Sequence, residues 1–410
     1  MLGILLLLTG FVLMVGEPLQ EFSNSVIRLV SLNGAPSLVY GVPFVVIGLL
    51  GSALAVSKVL DLISKGNRMV HGRGGAIAKL YQQKRLAAGP RFVAIGGGTG
   101  LPILLRGLKH YTSNITAIVS ITDDGGSSGR LREEMGIPPP GDARSCLAAL
   151  AEEESLMDEL LRYRFSSGVS LSGHNLGNLI LAALADVQND FQEALDVLAT
   201  LVGLRGRVVP VSVEGSLVLR ATTEDHETLN GESAIGQTSS PIRDIWMEPR
   251  DARVNPLAIQ AIRDADLIVI GPGSLLTSVV PNFLVEGVTE AVNSAFAPKL
   301  FVCNIATQEG ETQDFNARDH LETFFQFAGV EVSHVLFNDN LADLDEALGQ
   351  IPVEPVLELA GFDCQVILAD LLDKQILTHH DPDKVGLAVT RIHASTLRKK
   401  RLRSSIYPVA

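Results

Sequence analysis

Short apolar runs alternate with amphipathic stretches along the chain beyond residue 91. Apolar runs bounded by glycine and polar residues predict strands of a parallel sheet, and the amphipathic stretches between them predict helices. The sequence therefore predicts an α/β fold with a mostly parallel sheet and helices on both faces. The predicted strands are 92–95, 116–122, 208–213, 267–270, 300–304 and 334–337.

Two longer apolar segments precede this region. Residues 1–16 carry no charged side chain, and residues 36–60 carry only Lys58. Because a membrane-spanning helix needs about 20 apolar residues, the pattern predicts a transmembrane hairpin over residues 1–60. A secretory signal, a buried core helix and a start codon assigned too late are the alternatives for the first segment, which lacks the positively charged start of a secretory signal.

Basic residues follow the second apolar segment, whereas the loop between the two segments has Arg28 alone. The positive-inside rule then places everything after the hairpin in the cytoplasm. The predicted localisation is the cytoplasmic membrane, with the main domain facing the cytoplasm. The predicted parts are the hairpin, a basic juxtamembrane linker at 61–90, a ligand-binding domain at 91–395 and a basic tail at 396–410.

Composition narrows the class of protein. The 410 residues include 33 Lys and Arg against 46 Asp and Glu, which gives a net charge of -13. This acidic balance argues against a general nucleic-acid binder, which presents a basic face. The three cysteines lie far apart, so the sequence shows neither a disulfide framework nor a metal-ribbon spacing, as in a reducing compartment.

A glycine-rich loop follows the first predicted strand. Glycine lets backbone N–H groups approach a phosphate, and the helix that follows adds the positive end of its dipole. The loop departs from the dinucleotide fingerprint at Leu101 and lacks the lysine of a Walker loop. It predicts a phosphate site, with a simple tight turn as the alternative; its candidates are Gly97, Gly98, Thr99 and Gly100.

The second predicted strand ends at Asp123 and Asp124. Two carboxylates at a strand end can hold ribose hydroxyls or a hydrated Mg²⁺, which makes these two residues the candidate metal ligands. An arginine guanidinium can neutralise a diphosphate with forked hydrogen bonds. The alternative is a solvated, flexible loop. The further candidates in this segment are Gly126, Ser127, Ser128 and Arg130.

Two helix starts carry further candidates. Asp142 either caps the helix that begins near residue 143 or binds ligand, and Arg144 is the more exposed functional candidate. Asn175 and Asn178 lie three apart and can both meet a base or a sugar. His174 beside them is either catalytic or a hydrogen-bonding cap.

A second turn of the strand–glycine–helix type follows the fourth predicted strand, and a polar segment follows the fifth. Two such turns in one sheet suit a ligand with two anionic or polar ends, such as a nucleotide diphosphate-sugar. Ordinary polar turns are the alternative. The candidates are Gly271, Gly273, Ser274 and Thr277 in the turn, with Asn304 and Thr307 in the polar segment.

In this order the segments resemble the YvcK/CofD-like family, and within it the gluconeogenesis-factor (YvcK) branch. The resemblance runs from about residue 91 to at least residue 320. The segment after the two aspartates is of the YvcK type. The motifs that carry the resemblance are GGGTG at 96–100, DDGGSSGRLR at 123–132, PGD at 140–142, GHNLGN at 173–178, GPGSLLTS at 271–278 and CNIATQEGET at 303–312.

The resemblance implies a Rossmann-like fold that binds a UDP-sugar, especially UDP-N-acetylglucosamine, and needs no other cofactor. It implies support of cell shape and cell-wall synthesis during gluconeogenic growth, without catalysis, through a cell-wall-synthesis or regulatory protein partner. We also expect a homo-oligomer and no nucleic-acid partner. One alternative is a CofD-like transferase that moves a phospholactyl-type group from a guanylylated donor to Fo with Mg²⁺. An NAD-dependent oxidoreductase is disfavoured by Leu101.

Overall fold

The structure, a computed structural model, describes residues 76–151, 156–168, 170–215, 217–341, 344 and 350–406. The predicted hairpin at 1–60 and the first half of the basic linker lie outside these residues. The chain divides into two compact units, Met1–Gln82 and Gln83–Ala410, and every element below except the first helix belongs wholly to the second. Within the described ranges, no helix is long and apolar enough to cross a membrane.

A parallel sheet of seven strands forms the centre of the second unit. Its seven strands are β1 (Phe92–Gly96), β2 (Ile115–Val119), β3 (Arg207–Pro210), β7 (Leu267–Ile270), β8 (Lys299–Val302), β9 (His334–Asn338) and β10 (Gln365–Ala369). The strand order is β10-β9-β8-β7-β1-β2-β3, and every neighbouring pair is parallel. This is the order of a Rossmann-type sheet with one strand added at an edge. All six strands predicted from the sequence are among these seven.

A small antiparallel sheet is inserted between β3 and β7. It has the order β5-β4-β6, with β4 (Val218–Thr223), β5 (Thr228–Asn230) and β6 (Ile242–Glu248). Buried and partly exposed positions alternate along β4, as expected for a sheet with one solvated face. The sequence did not predict this sheet, whose strands carry polar and charged residues, nor did it predict β10, although residues 366–369 form a short apolar run.

Helices cover both faces of the large sheet. A π-helical turn, Leu275–Val279, and a 3₁₀ turn, Val280–Asn282, follow β7. The α-helices are α1 (Ala76–Ala87), α2 (Gly100–Leu108), α3 (Gly126–Met135), α4 (Gly141–Leu150), α5 (Leu156–Arg162), α6 (Leu176–Gln188), α7 (Phe191–Val202), α8 (Glu232–Ile235), α9 (Pro256–Asp264), α10 (Val288–Ser294), α11 (Ala317–Ala328) and α12 (Pro382–Ile406).

Alternate residues of β1 enter two separate cores. Phe92 and Ala94 pack in one apolar cluster, whereas Val93 and Ile95 pack in the other. A strand buried on both faces reads as a continuous apolar run, which is why the pattern located this sheet. The predicted α/β architecture with helices on both faces is therefore confirmed.

The strand order reverses direction at β1. This strand pairs with β2 on one side and with β7 on the other, so that Ile95 lies opposite both Ile118 and Ile270. The turns that follow β1 and β7 consequently lie side by side at the carboxyl edge of the sheet. Ligands of open α/β sheets bind in the crevice at such a switch point.

Candidate ligand-binding site

The glycine loop after β1 forms a tight turn into α2. Gly98 has a φ of +59°, the left-handed conformation that glycine adopts without strain, and α2 begins two residues later at Gly100. A Cβ on Gly100 would lie 2.6 Å from the carbonyl carbon of Pro272 in the turn after β7. The two turns therefore touch, as the topology requires.

Asp142 contacts the glycine loop and does not cap its own helix. The N-cap position of α4 is Pro140, with no side-chain capping bond, so the predicted capping role of Asp142 is wrong. Its Oδ2 instead accepts hydrogen bonds from the Gly98 N–H at 2.7 Å and the Ser120 hydroxyl at 3.3 Å. Burial raises the pKa of Asp142 to about 6, against the opposing effect of the Gly98 bond.

A basic cleft of about 300 Å³ opens beside this loop. Gly98 and Thr99 line it together with Arg106, Arg144 and Arg162, and we call this cleft the arginine lobe. Burial, followed by the charge of Arg164, lowers the pKa of Arg144, yet an arginine stays cationic at neutral pH. Three guanidinium groups beside backbone N–H groups suit a diphosphate.

A second cleft of about 280 Å³ lies on the other side of Thr99. His379 and His380 line both clefts. Burial lowers the pKa of His380 to about 4, so its ring is neutral. The Nε2 of this ring donates to the Cys303 carbonyl oxygen at 3.0 Å. We call this cleft the amide lobe, after the hydroxyl and amide groups of Ser274, Asn304, Thr307, Gln308 and Gln350 that line it.

Asn304 and Thr307 also fasten the wall of the amide lobe. Asn304 accepts from the Gly273 N–H at 3.1 Å and donates to the Gly273 carbonyl at 2.9 Å. Thr307 is buried, and its hydroxyl accepts from the Ile351 N–H at 3.0 Å. Both predicted candidates therefore lie at the site and hold its shape.

The segment after Asp124 lines neither lobe. It forms the helix α3 and not a flexible loop, with Ser127 and Ser128 buried in its first turn. Arg130 donates to the carbonyl oxygens of Gly126 at 3.4 Å and Ser172 at 3.3 Å, and lines neither lobe. Gly126 starts this helix at a φ of +49°.

Asn175 and Asn178 position Arg144. Asn175 is the N-cap of α6, and its Oδ1 accepts from the Asn178 N–H at 3.2 Å. Asn178 Oδ1 in turn accepts from Arg144 Nε at 3.2 Å. His174 precedes this cap; its Nδ1 lies 3.1 Å from the Ser127 hydroxyl, and burial lowers its pKa. These residues form a buried network next to the arginine lobe.

Asp123 and Asp124 are engaged by different elements. Asp123 Oδ1 accepts from the Gly125 N–H at 2.9 Å. Asp124 Oδ1 accepts from the N–H of Ser233 at 3.0 Å and from its hydroxyl at 2.5 Å, which ties the small sheet to the large one. The described ranges contain no group of three His, Cys, Asp or Glu side chains that can hold a metal ion. One oxygen of each aspartate is therefore bonded within the protein, and the assignment of the pair to Mg²⁺ stays a prediction.

A side chain of the protein itself occupies the second predicted phosphate turn. Gly271 has a positive φ of 73°, and Ser274 and Thr277 follow it at the start of the π-helical turn. Ser274 Oγ lies 2.5 Å and Thr277 Oγ1 2.6 Å from Glu311 Oε1, so that each hydroxyl can donate to this carboxylate. The donors that the sequence assigned to a ligand are therefore already bound to a buried carboxylate.

Glu232, at the start of α8, lies among these acidic groups. Burial first, and then the charges of Asp142, Asp123, Glu311 and Asp124, raise its pKa to about 9. Glu232 is therefore protonated more readily than an ordinary glutamate. The interior beside the two turns is thus acidic, while the arginine lobe is basic.

Four residues that shape this site were not among the sequence candidates. A signal existed for Arg106, the one charged residue of the apolar helix α2, which starts directly at the glycine loop. Glu311 lies inside the polar segment after β8, in which Asn304 and Thr307 are the sequence candidates. Arg162 and Glu232 lie between the motifs and outside all of them, and only the fold brings them near the site.

The strand order and the glycine turn at the switch point define a Rossmann-like α/β protein. The chain belongs to the CofD family: a family model described as 2-phospho-L-lactate transferase CofD matches residues 92–372. A solved structure of a member of the UPF0052 family from Bacillus halodurans is 40% identical, with a TM-score of 0.69, and the match covers 74% of this chain and 99% of that one.

Relatives in three bacteria share much of this chain. The gluconeogenesis factor of Bacillus subtilis is 42% identical over 305 residues, which are 72% of this chain and 96% of that protein. The gluconeogenesis factor of Halalkalibacterium halodurans is 47% identical over 240 residues, 58% of this chain and 74% of that one. A protein of Nostoc sp. is 44% identical over 294 residues, 70% of this chain but only 63% of that protein.

Proposed function

We propose that this chain binds a nucleotide-sugar of the UDP-N-acetylglucosamine type and acts as a regulator of cell shape and cell-wall synthesis during gluconeogenic growth. The observation that carries the ligand proposal is the glycine turn at the switch point, with Arg106, Arg144 and Arg162 beside it. The relatives named gluconeogenesis factor support the physiological part.

The two lobes match two of the three chemical parts of such a ligand, the diphosphate and the sugar. A diphosphate carries negative charge, and the arginine lobe offers guanidinium groups together with the N–H groups at the start of α2. A sugar offers hydroxyl and acetamido groups, which pair with the hydroxyls and amides of the amide lobe. The lobes meet at Thr99, so one ligand can reach both.

A regulator needs no chemical step. The bound ligand has to favour one of two conformations, which then contacts a protein partner in cell-wall synthesis or its regulation. No cofactor beyond the nucleotide-sugar is required in this proposal. We also propose a homo-oligomer.

The proposed localisation is the cytoplasmic membrane, through the hairpin at residues 1–60. Its support is the charge asymmetry between the loop with Arg28 and the basic residues after Leu60. A cysteine replacing Ser25 should react with a membrane-impermeant reagent from outside intact cells, and one replacing Gly72 should not. Equal labelling of the two would refute this topology.

The second candidate is a transferase of the CofD type, favoured by the description of the matching family model. Calorimetric titration of the protein with UDP-N-acetylglucosamine, GDP and NAD separates the candidates. We expect the UDP-sugar to bind, and a chelator of Mg²⁺ to change its affinity less than about twofold, because Asp123 and Asp124 are engaged by Gly125 and Ser233. Preference for GDP with Mg²⁺, together with turnover of a guanylylated donor and Fo, would replace the regulator by the transferase.

A further inference from the structure

Glu311 is held in the turn after β7 much as a bound anion would be. Its Oε2 accepts from the Leu276 N–H at 3.0 Å. Its Oε1 accepts from the hydroxyls of Ser274 and Thr277 and, more weakly, from Gln308 Nε2 at 3.4 Å. The side chain is buried, so this carboxylate is an internal occupant of the turn.

The bonds of Glu311 fix what the amide lobe offers to a ligand. Ser274 lines that lobe, and its hydroxyl proton is directed to Glu311 Oε1 or to Gln308 Oε1. A hydroxyl that donates inward leaves only its oxygen lone pairs for a ligand, and the Thr277 hydroxyl, 2.8 Å from Ser274 Oγ, can use one of the two. A ligand group near Ser274 therefore meets an acceptor with a negative charge directly behind it.

The two turns at the switch point differ in the charges around them. The turn after β1 is bonded to Asp142 through the Gly98 N–H but also faces Arg106, Arg144 and Arg162, which favour an anion. The turn after β7 is backed by Glu311, which disfavours one. Charges a few ångströms apart in a partly buried site interact strongly, since little water screens them.

We propose that Glu311 is a specificity-determining residue, which excludes negatively charged sugars from the amide lobe and selects a sugar with hydroxyl donors there. This inference rests on the proposed function, because it assumes a nucleotide-sugar whose diphosphate lies in the arginine lobe. Glu311 acts on the ligand through Ser274 and through its charge, without being a catalytic group.

The test compares two ligands that differ at one carbon. UDP-N-acetylglucosamine carries a hydroxymethyl group at sugar carbon 6, and UDP-N-acetylglucosaminuronate carries a carboxylate. Affinities of both are measured by calorimetry for the full chain and for the Glu311→Gln variant. Glu309→Gln is the matched control, because Glu309 is an exposed carboxylate in the same segment.

We expect the unaltered protein to bind the uronate at least about tenfold more weakly than the hydroxymethyl sugar. Glu311→Gln should reduce this ratio to threefold or less, and Glu309→Gln should leave it unchanged. Equal binding of the two ligands to the unaltered protein, or an unchanged ratio in Glu311→Gln, would overturn the inference while the proposed function stands. Failure of both ligands to bind the unaltered protein would overturn the proposed function itself. If Glu311→Gln does not fold, the ratio in the unaltered protein still decides.

Discussion

Replacing Gly97 by alanine is expected to weaken binding of UDP-N-acetylglucosamine at least about 100-fold, which corresponds to ~2.7 kcal/mol. An added Cβ would lie 2.5 Å from the Ser120 hydroxyl and would also collide with Asp142 Oδ2. Neither atom can move away from the added Cβ, because the Ser120 side chain is buried and Asp142 accepts a hydrogen bond from the Gly98 N–H. The loop has to move, and its N–H groups then leave the position that faces a phosphate.

Gly96→Ala is the matched control for this prediction. The adjacent glycine belongs to β1, and a Cβ there would approach no atom closer than Leu101 Cβ at 3.7 Å. The affinity of the Gly96→Ala variant for UDP-N-acetylglucosamine should change less than about threefold. Both variants are titrated by calorimetry after thermal unfolding has shown that they fold. Loss of binding in both, or in neither, would contradict the steric argument.

The second large effect is expected at Arg144. Its guanidinium lines the arginine lobe and is oriented by the bond from its Nε to Asn178. Removal of a hydrogen bond between charged groups costs about 1.5–3 kcal/mol, so Arg144→Ala should weaken binding of the UDP-sugar roughly 10- to 150-fold. Arg144→Lys keeps the charge without the forked geometry and should recover only part of this loss. The measurement is again a calorimetric titration.

The sequence located the large sheet because its strands are buried on both faces. The strand Leu267–Ile270 was predicted with both ends correct, and the other predicted strands overlap the observed ones. The small sheet escaped because its strands carry charged residues, as in Ile242–Glu248. Because the small sheet was not predicted, the approach of Glu232 and Ser233 to Asp124 was not predicted either.

The motifs predicted which segments meet at the carboxyl edge of the sheet, but not which of their side chains line the two lobes. The polar residues after β1, β7 and β8 do meet at one edge, as the topology rule predicts. Local spacing left Asp142 open between a cap and a ligand contact, because its bond to Gly98 spans 44 positions of the chain. Glu311 shows the same limit, since its bonds to Ser274 and Thr277 link segments that only β7 and β8 bring together.

The central claim is that the diphosphate of a nucleotide-sugar binds in the arginine lobe. The most direct measurement compares the affinities of Arg144→Ala and Arg130→Ala for UDP-N-acetylglucosamine. Arg130 comes from the motif that the sequence favoured, but it donates to the carbonyls of Gly126 and Ser172, outside the lobe. The account predicts the large loss in Arg144→Ala and less than about a threefold change in Arg130→Ala. A large loss in Arg130→Ala with near-normal binding in Arg144→Ala would contradict it.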